Sequence, residues 1–316
     1  MSIEVDPREI ELDLVDHLYA LGFNRISIGV QDIDPQVQQA INREQSTDFI
    51  IELINRAKTV GFKSVNIDLI YGLPHQTVDS FQHTLKKVKE IDPDRISLFS
   101  YAHLPSRFAA QRKLRDEWLP DISQKFALMK SAILTLCSYG YEFIGMDHFA
   151  KPHDELAVAQ RAGKLHRNFQ GYTTKGDCDL LGFGVSAISA IGNSFSQNNK
   201  DLKHYYSAID TLGHAVEKGL TLTLDDVIRG EVIKSLMCNL SVDKHDINKK
   251  FSIDFDQYFD DDLSNLITFE QDGLLKNTDR AIQVDQRGRL LIRNICMSFD
   301  AYMKTKINQQ RFSRVI

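Results

Sequence analysis

The amino-terminal half of the chain repeats one pattern of apolar and polar positions. A Gly-aromatic pair follows a helical segment, and a short apolar strand begins directly after it. The three copies are LGFNRISIGVQ from Leu21, VGFKSVNIDLIYG from Val60 and YGYEFIGMDHF from Tyr139. Glycine in this place is typical of a helix that ends in the left-handed conformation. The pattern therefore predicts units in which a helix leads into a strand.

Two of the intervening helices are visible in the spacing of their apolar residues. The apolar positions recur on one helical face and follow cap candidates: Ile50, Leu53, Ile54, Ala57 and Val60 after Ser46 and Thr47, and Val78, Phe81, Leu85 and Val88 after Thr77. Near-continuous strands such as SVNIDLIYG alternate with helices at about 40 residues per unit, which favours a parallel sheet. The predicted fold class is α/β, a partial (β/α) barrel.

Beyond about Thr221 the pattern changes to helices and a short ribbon. We expect helices over residues 227–240, 263–270 and 290–303, and a two-stranded wing in LLKNTDRAIQVDQRG. This order predicts a mostly helical, winged-helix-like domain over 221–316, after an α/β domain over 1–220. Residues 226–316 contain fourteen acidic residues and fourteen lysines and arginines. The domain therefore lacks the excess positive charge of a nucleic-acid binder, and we favour a structural role in which it covers a cleft.

Composition narrows the class of protein. The 316 residues have a net charge of −5 and a pI of about 6.1, which gives no reason to expect nucleic acid or an anionic membrane as a partner. No apolar run approaches the roughly 20 residues of a membrane span. The four cysteines are scattered, the closest pair being 41 residues apart, and the histidines are irregularly spaced. We therefore expect a cytoplasmic protein without a metal site of its own.

Polar residues stand at the carboxyl ends of the predicted strands, where ligands bind in such folds. They are Glu4, Gln31, Asp68 and residues 100–103. Converging carboxylates, an amide and a hydroxyl can hydrogen-bond an amino group and ribose hydroxyls. The alternative is that these residues cap helices or pair with Arg25, Arg43 or Arg95, and the spacing alone leaves both possibilities open.

Longer motifs carry a resemblance to a known family. They are IEVDPREI, NREQ, NIDLIYGLP, FIGMDHFA, DELAVAQR, HRNFQGYTT, GFGVSAIS, LLIRNIC and FSRVI, and the stretch from His166 to Ser189 is the most specific. Together they resemble the oxygen-independent coproporphyrinogen III oxidases (the HemN family), radical S-adenosylmethionine enzymes of haem biosynthesis. The resemblance implies an oxidoreductase that converts two propionates of coproporphyrinogen III to vinyl groups, giving protoporphyrinogen IX, by means of a 5′-deoxyadenosyl radical.

The same resemblance implies cofactors, partners and site residues. It implies two S-adenosyl-L-methionine molecules, a 4Fe-4S cluster in the full-length enzyme, an electron donor, a terminal electron acceptor and a monomeric state. Motif by motif, it assigns Glu4 and Ile188 to the cofactor on the cluster, Gln31, Arg43, Asp68 and Ala102 to the second cofactor, and Phe169 and Gln170 to the active-site lining.

The chain also departs from the family pattern. It resembles the carboxyl-terminal two thirds of these enzymes and lacks the C-x3-C-x2-C run that holds the cluster. We therefore expect this chain alone to be inactive. A partial reading frame is the favoured explanation, and a truncation or a natural remnant without catalysis remains open. The haem-chaperone paralogues (HemW) are the rival family, but they usually carry a Tyr-Trp phrase where this chain has RNFQGYTT.

One segment in the second half of the chain is rich in glycine. GFGVSAISAIG contains Gly182, Gly184 and Gly192, but it lacks the strand-then-helix context of a dinucleotide-binding fingerprint. Close packing of the backbone beside a ligand is the interpretation we favour for these glycines.

Overall fold

The computed structural model describes residues 1–176 and 178–303. They divide into two compact units, Met1–Val158 and a second unit that starts at Ala159. The predicted boundary at residues 220 and 221 lies later, where strands give way to helices, and it stays a prediction. Within the described residues, no helix is long and apolar enough to cross a membrane.

The first unit is built on a six-stranded sheet. In chain order its strands are β1 (Ser2–Val5), β2 (Arg25–Gln31), β3 (Ser64–Tyr71), β4 (Arg95–Ser100), β5 (Glu142–Gly145) and β6 (His148–Ala150). The spatial order is β1-β2-β3-β4-β6-β5, and the four strands β1 to β4 are parallel, as predicted. The third copy of the repeat differs, because β6 folds back antiparallel to β5. Gly145 and Met146 take φ values of 148° and 51°, which reverses the chain there.

Five α-helices lie between these strands, and a sixth follows the last strand. They are α1 (Leu14–Ala20), α2 (Pro35–Ala40), α3 (Thr47–Val60), α4 (Val78–Ile91), α5 (Ile122–Ser138) and α6 (Glu155–Arg161). The predicted caps are confirmed: the Ser46 hydroxyl accepts from the Phe49 N–H, and Thr77 forms a capping box with Ser80. Gly61 ends α3 at a φ of 105°, the left-handed conformation that the repeat predicts.

The sheet of the first unit has two different faces. Alternate side chains of β2, β3 and β4 enter one buried apolar cluster with the inner residues of α3, α4 and α5; from the strands these are Ile26, Ile28, Val30, Val65, Ile67, Leu69, Ile96 and Leu98. Burying one such side chain contributes about 1.5–3 kcal/mol. Most intervening positions, such as Ser27, Asn66, Asp68 and Ser97, are polar, although Ile70 and Phe99 also lie on this face. Helices therefore cover one face of the sheet, and the other face presents mostly polar groups.

The second unit begins with two small sheets. A hairpin joins β7 (His166–Asn168) and β8 (Gly171–Thr173), and a three-stranded antiparallel sheet has the order β11-β10-β9. The strands of the three-stranded sheet are β9 (Ile188–Ile191), β10 (Ser194–Asn198) and β11 (Val216–Thr221), and α7 (Leu202–Leu212) lies between β10 and β11 in the chain.

A helical region with a small sheet follows. Its elements are α8 (Leu224–Asn239), β12 (Ser241–Asp243), α9 (Lys244–Phe251), α10 (Phe255–Tyr258), α11 (Asp260–Ser264), α12 (Ile267–Gln271), β13 (Leu275–Asn277), β14 (Ala281–Val284) and α13 (Ile292–Met297). The predicted wing is confirmed, since β13 and β14 pair antiparallel, and β12 joins them in the order β12-β14-β13.

Two predicted helices of this region need correction. The helix expected over 263–270 is broken into α11 and α12. The N–H groups of Asn265 and Leu266 bond to carbonyls three residues earlier, and this tighter turn brings Leu266 into the core. The helix expected over 290–303 ends at Met297, where similar turn bonds bury Phe299. The helix expected over 227–240 is confirmed as α8. The terminal FSRVI motif lies outside the described residues.

Candidate functional site

Asp68 stands at the centre of the polar face of the first unit's sheet. In the register of the parallel strands it lies opposite Gly29 of β2 and Ser97 of β4. Its carboxylate accepts hydrogen bonds from the Ser27 hydroxyl at 3.3 Å and from the Asn66 amide at 2.9 Å. Burial raises the pKa of Asp68. The site therefore contains a buried carboxylate held by neutral donors, with capacity to accept further hydrogen bonds.

Asn66 organises this face, and sequence reasoning missed it. Besides Asp68, its amide donates to the Ser27 hydroxyl at 2.8 Å and to the Ser97 hydroxyl at 3.1 Å. The signal was present in the strands RISIGVQ, SVNIDLIY and RISLFS, which alternate apolar and polar positions. Such alternation indicates a sheet that is covered on one side only.

Glu4 lies on the edge strand β1, opposite Ser27 of β2. It is exposed, and its charge adds to the raised pKa of Asp68, whose main cause is burial. The structure thus places the carboxylates of Glu4 and Asp68, both predicted for the site, near each other in the first unit. Like charges this close favour a ligand that donates hydrogen bonds or carries positive charge.

Gln31 and Arg43 meet over Gly29. A Cβ atom on Gly29 would lie 2.8 Å from Nη2 of Arg43 and 2.9 Å from Nε2 of Gln31, so the ends of both side chains occupy the space that glycine leaves open. Arg43 donates to the Gly29 carbonyl at 3.0 Å and to Asp6 at 3.1 Å. Its Nε is buried and makes no hydrogen bond to the described residues. A donor is therefore available beside the carboxyl end of β2.

Ala102 belongs to the loop that follows β4. Its carbonyl accepts from the Gln111 side chain at 3.0 Å, and the same side chain accepts from the Leu104 N–H at 2.5 Å. Lys125 of α5 reaches back and donates to the Tyr101 carbonyl at 2.8 Å. Gln111 and Lys125 were not found from the sequence, because no local pattern links them to this loop. Together they hold the backbone around Ala102.

The other three candidates belong to the second unit. Phe169 and Gln170 form the turn between β7 and β8, where Phe169 is 55% exposed and packs edge-on to Phe195 at 5.2 Å. The Gln170 N–H donates to the Asn168 side chain at 2.9 Å. Ile188 begins β9 and pairs with β10. The turn therefore presents an aromatic ring and an amide at its tip.

The glycines around Ile188 divide into two kinds. A Cβ on Gly182 would lie 2.6 Å from the Ile188 carbonyl oxygen, so the predicted close packing is confirmed there. Beside Gly184 and Gly192 the described residues leave open space, so the protein does not pack closely there, and packing against a ligand stays a prediction. These two take φ values of 101° and 53°, so the backbone conformation is what requires glycine.

The cysteines do not form a metal centre within the described part of the chain. None of the four forms a disulfide, and no group of three or more His, Cys, Asp or Glu side chains in that part is placed to hold a metal ion. Burial raises the pKa of Cys238 to about 11 and that of Cys296 to about 12. These two thiols therefore stay protonated at neutral pH, whereas metal ligation needs the thiolate.

Comparison with known proteins identifies the family. A model of the radical SAM superfamily matches residues 1–88, and a model of the HemN C-terminal domain matches residues 222–291. The oxygen-independent coproporphyrinogen III oxidase of Escherichia coli K12 is 58% identical over 316 residues, which are 100% of this chain and 69% of the relative. The relative of that name from Thermostichus vulcanus is 46% identical, over 100% of this chain and 97% of its own length.

A solved structure agrees with these matches. Coproporphyrinogen III oxidase (HemN) from Escherichia coli, described as a radical SAM enzyme, superposes with a TM-score of 0.94 over 95% of this chain and 69% of that chain. The α/β radical SAM fold with a helical carboxyl-terminal domain and the family resemblance are both confirmed. The chain belongs to the oxygen-independent coproporphyrinogen III oxidases, a radical S-adenosylmethionine family of oxidoreductases.

Proposed function

We propose that this chain binds S-adenosylmethionine at the rim around Gln31, Arg43 and Asp68, and that it serves the oxidation of coproporphyrinogen III. The family implies S-adenosylmethionine and a 4Fe-4S cluster. The observation that carries the proposal is the state of the polar groups at this rim. Asp68 accepts hydrogen bonds only from neutral donors, and the buried Nε of Arg43 donates to no described residue. Unsatisfied buried polar groups are typical of functional sites.

The rim residues fit S-adenosylmethionine chemically. The buried Arg43 Nε can donate to the carboxylate of the methionine group, which would complete the hydrogen bonding of the guanidinium. The Asp68 carboxylate can accept from ribose hydroxyls or from an amino group, and the positive charge of the ligand suits a rim that contains Glu4 and Asp68. Gly29 leaves room for Gln31 and Arg43 to approach.

The cysteines of this chain do not fit a 4Fe-4S cluster. A cluster needs several thiolates close together, whereas Cys238 and Cys296 are buried with raised pKa values, and Cys137 lies in the other unit from them. The role that we propose for these residues is therefore to bind and orient S-adenosylmethionine and substrate.

The proposed reaction follows from the name of the relatives. Each of two propionates of coproporphyrinogen III loses a hydrogen atom from its β-carbon, carbon dioxide and one electron, and becomes a vinyl group of protoporphyrinogen IX. S-adenosylmethionine, when bound and reductively cleaved, supplies the 5′-deoxyadenosyl radical that takes the hydrogen atom. An external electron donor and a terminal electron acceptor complete the balance. We propose that Phe169 and Gln170 line the substrate side of the site.

We further propose two S-adenosylmethionine molecules, with Glu4 and Ile188 at one, and Gln31, Arg43, Asp68 and Ala102 at the other. The second assignment is supported by the positions of the four residues in the first unit: Gln31 ends β2, Arg43 reaches Gly29 of β2, Asp68 lies within β3 opposite Gly29, and Ala102 follows β4. A monomeric cytoplasmic enzyme belongs to the same proposal, and the lack of a disulfide among the four cysteines supports the reducing compartment.

Replacement of Asp68 tests the proposed binding. Isothermal titration of the 316-residue chain with S-adenosylmethionine should show an affinity for Asp68→Ala that is about ten- to a hundredfold lower, because a buried charge-assisted hydrogen bond is lost. Lys86→Ala, on the exposed face of α4, is the control and should bind as the unaltered chain does. Equal affinities of the two variants would remove Asp68 from the site, and absence of binding by the unaltered chain would refute the proposal.

A further inference from the structure

A set of buried polar side chains lies among the segments that follow β2 and β3. Asp32 and Thr84 are fully buried, and Gln38 and Gln76 are 6% and 4% exposed. Asp32 directly follows Gln31, Gln38 lies on α2, Gln76 precedes α4 and Thr84 lies on α4. Polar groups so deeply buried are retained only when they are well hydrogen-bonded, and their contacts show what they hold in place.

Asp32 joins three segments through one carboxylate. The Thr84 hydroxyl donates to Oδ1 at 2.6 Å, and the Asp34 N–H donates to the same atom at 2.9 Å. The Gln76 amide donates to Oδ2 at 2.5 Å. The residue after Gln31 is thus tied both to α4 and to the segment that follows β3.

Gln76 continues the connection toward the carboxyl end of β3. Its Oε1 accepts from the Gly72 N–H at 2.6 Å, and its Nε2 donates to the Ile70 carbonyl at 3.0 Å as well as to Asp32. One amide therefore bonds the backbone on both sides of Tyr71, the last residue of β3. The ends of β2 and β3 are fixed to each other beyond the bonds of the sheet.

Gln38 extends the network to Arg43. Its side-chain amide donates to the Asp32 carbonyl at 2.9 Å, and its own backbone carbonyl accepts from the Arg43 N–H at 2.9 Å. The Gln45 N–H donates to Oε1 of Gln38 at 3.3 Å. The backbones that carry Gln31 and Arg43 are therefore held by the same residue.

We propose that Asp32, Gln38, Gln76 and Thr84 are positioning residues that pre-organise Gln31 and Arg43 for S-adenosylmethionine. The inference rests on the proposed function of the rim. Gln31 takes a φ of 64°, which is unfavourable for a residue other than glycine and persists only when neighbouring contacts impose it. Asp32, held through both its side chain and its carbonyl, imposes that conformation. Rigid support of this kind raises affinity because less order has to be created on binding.

Thr84→Val is the first test, because it removes one hydrogen bond and keeps the shape of the side chain. Tyr141→Phe is the matched control: the Tyr141 hydroxyl is buried and donates to the Pro93 carbonyl at 2.6 Å, at the amino end of β4 and away from the rim. Both variants should lose similar thermal stability. Only Thr84→Val should bind S-adenosylmethionine about three- to tenfold more weakly by isothermal titration at a temperature where both are folded.

An exchange of groups gives an independent test. Asp32→Asn places an amide against the Gln76 amide, and Gln76→Glu places a carboxylate against Asp32, so each single change breaks their hydrogen bond. The double variant restores a donor on residue 32 and an acceptor on residue 76. Its affinity for S-adenosylmethionine should exceed that of either single variant, which is a positive coupling in a double-mutant cycle.

The outcomes separate this inference from the function on which it rests. If Asp68→Ala weakens binding while Thr84→Val binds as Tyr141→Phe does and the exchange shows no coupling, the positioning role is refuted and the rim stands. If the unaltered chain does not bind S-adenosylmethionine, both are refuted. Weaker binding by Thr84→Val together with recovery in the double variant supports the positioning role.

Discussion

Two buried carboxylates, Asp262 in the second unit and Asp68 in the first, have different hydrogen-bond donors. In the second unit, Arg229 donates to Asp262 at 2.9 Å, and the buried Lys244 donates to Asp256 at 2.5 Å. In the first unit, Asp68 makes no ion pair with any described residue and is held by neutral donors only. The buried Asp262 carboxylate therefore has a cationic donor, and the buried Asp68 carboxylate does not.

This difference separates structural charges from functional ones. A paired buried charge mainly specifies the fold, and the loss of one partner is expensive because the other remains desolvated. A buried carboxylate without a cationic partner has a raised pKa, and its retention in the folded chain costs stability unless a ligand pairs with it. The comparison therefore predicts opposite consequences for replacing charges in the two units.

The largest effect on stability should come from Arg229→Met. Asp262, which is 2% exposed, would lose its guanidinium partner, and the free energy of unfolding of the second unit should fall by about 3–5 kcal/mol. Urea unfolding followed by circular dichroism measures this. Arg287→Met is the control, since its side chain is mostly exposed and its ion pair to Asp285 is long, at 3.9 Å. A similar loss in both variants would contradict the comparison.

Asp68→Asn, unlike Arg229→Met, should raise the free energy of unfolding. It should also lower the affinity for S-adenosylmethionine by about tenfold. The carboxyl has an ordinary pKa of 3.8, which burial raises in the folded chain. Below that value it is protonated in both states, so its charge does not affect stability. As the pH rises, the unfolded state ionises first, and the unaltered chain loses stability relative to Asp68→Asn.

Thermal unfolding of both proteins across the acidic range measures this pH dependence. For Asp16→Asn we expect a pH dependence of the opposite sign, because the hydrogen bond from Arg56 lowers the pKa of Asp16 in the folded chain. There the unaltered chain should gain stability over the variant as the pH rises. An Asp68→Asn difference that is constant with pH would show that Asp68 is not a destabilising charge.

Lys125→Met should have a smaller effect on binding. The Tyr101 carbonyl would lose the Lys125 ammonium, so the loop that contains Ala102 becomes less ordered, and S-adenosylmethionine should bind about three- to tenfold more weakly. Lys130→Met lies on the same helix with an exposed side chain and should bind normally. Equal binding by the two variants would exclude the loop from the rim.

The smallest effect is expected at the hairpin tip of the second unit. Phe169→Ala should change the free energy of unfolding by less than about 1 kcal/mol, because the ring is 55% exposed and its main contact is one edge-on pair with Phe195. Phe195→Ala is the paired variant for chemical denaturation. A loss of several kcal/mol at Phe169 would show that the ring is a packing residue and not one kept for a ligand.

Sequence reasoning was successful where structure depends on neighbouring residues. The helices α3 and α4, their caps at Ser46 and Thr77, and the glycine that ends α3 are all recognisable within a few residues of chain. It failed where the same pattern permits two outcomes, as in the strand that reverses at Met146 and the helix that breaks at Asn265. Both depend on which apolar side chain reaches the core.

The sequence by itself determined the family, the alternation of strands and helices, and the residue types at the rim. Only the tertiary structure decided which of these residues meet. Thr84 reaches Asp32 across 52 residues and Ser27 reaches Asp68 across 41, so neither contact is visible in local spacing. The physical reason is that helix and cap bonds join residues three or four positions apart, whereas the rim is assembled by strand register and by segments that pack only when the sheet has formed.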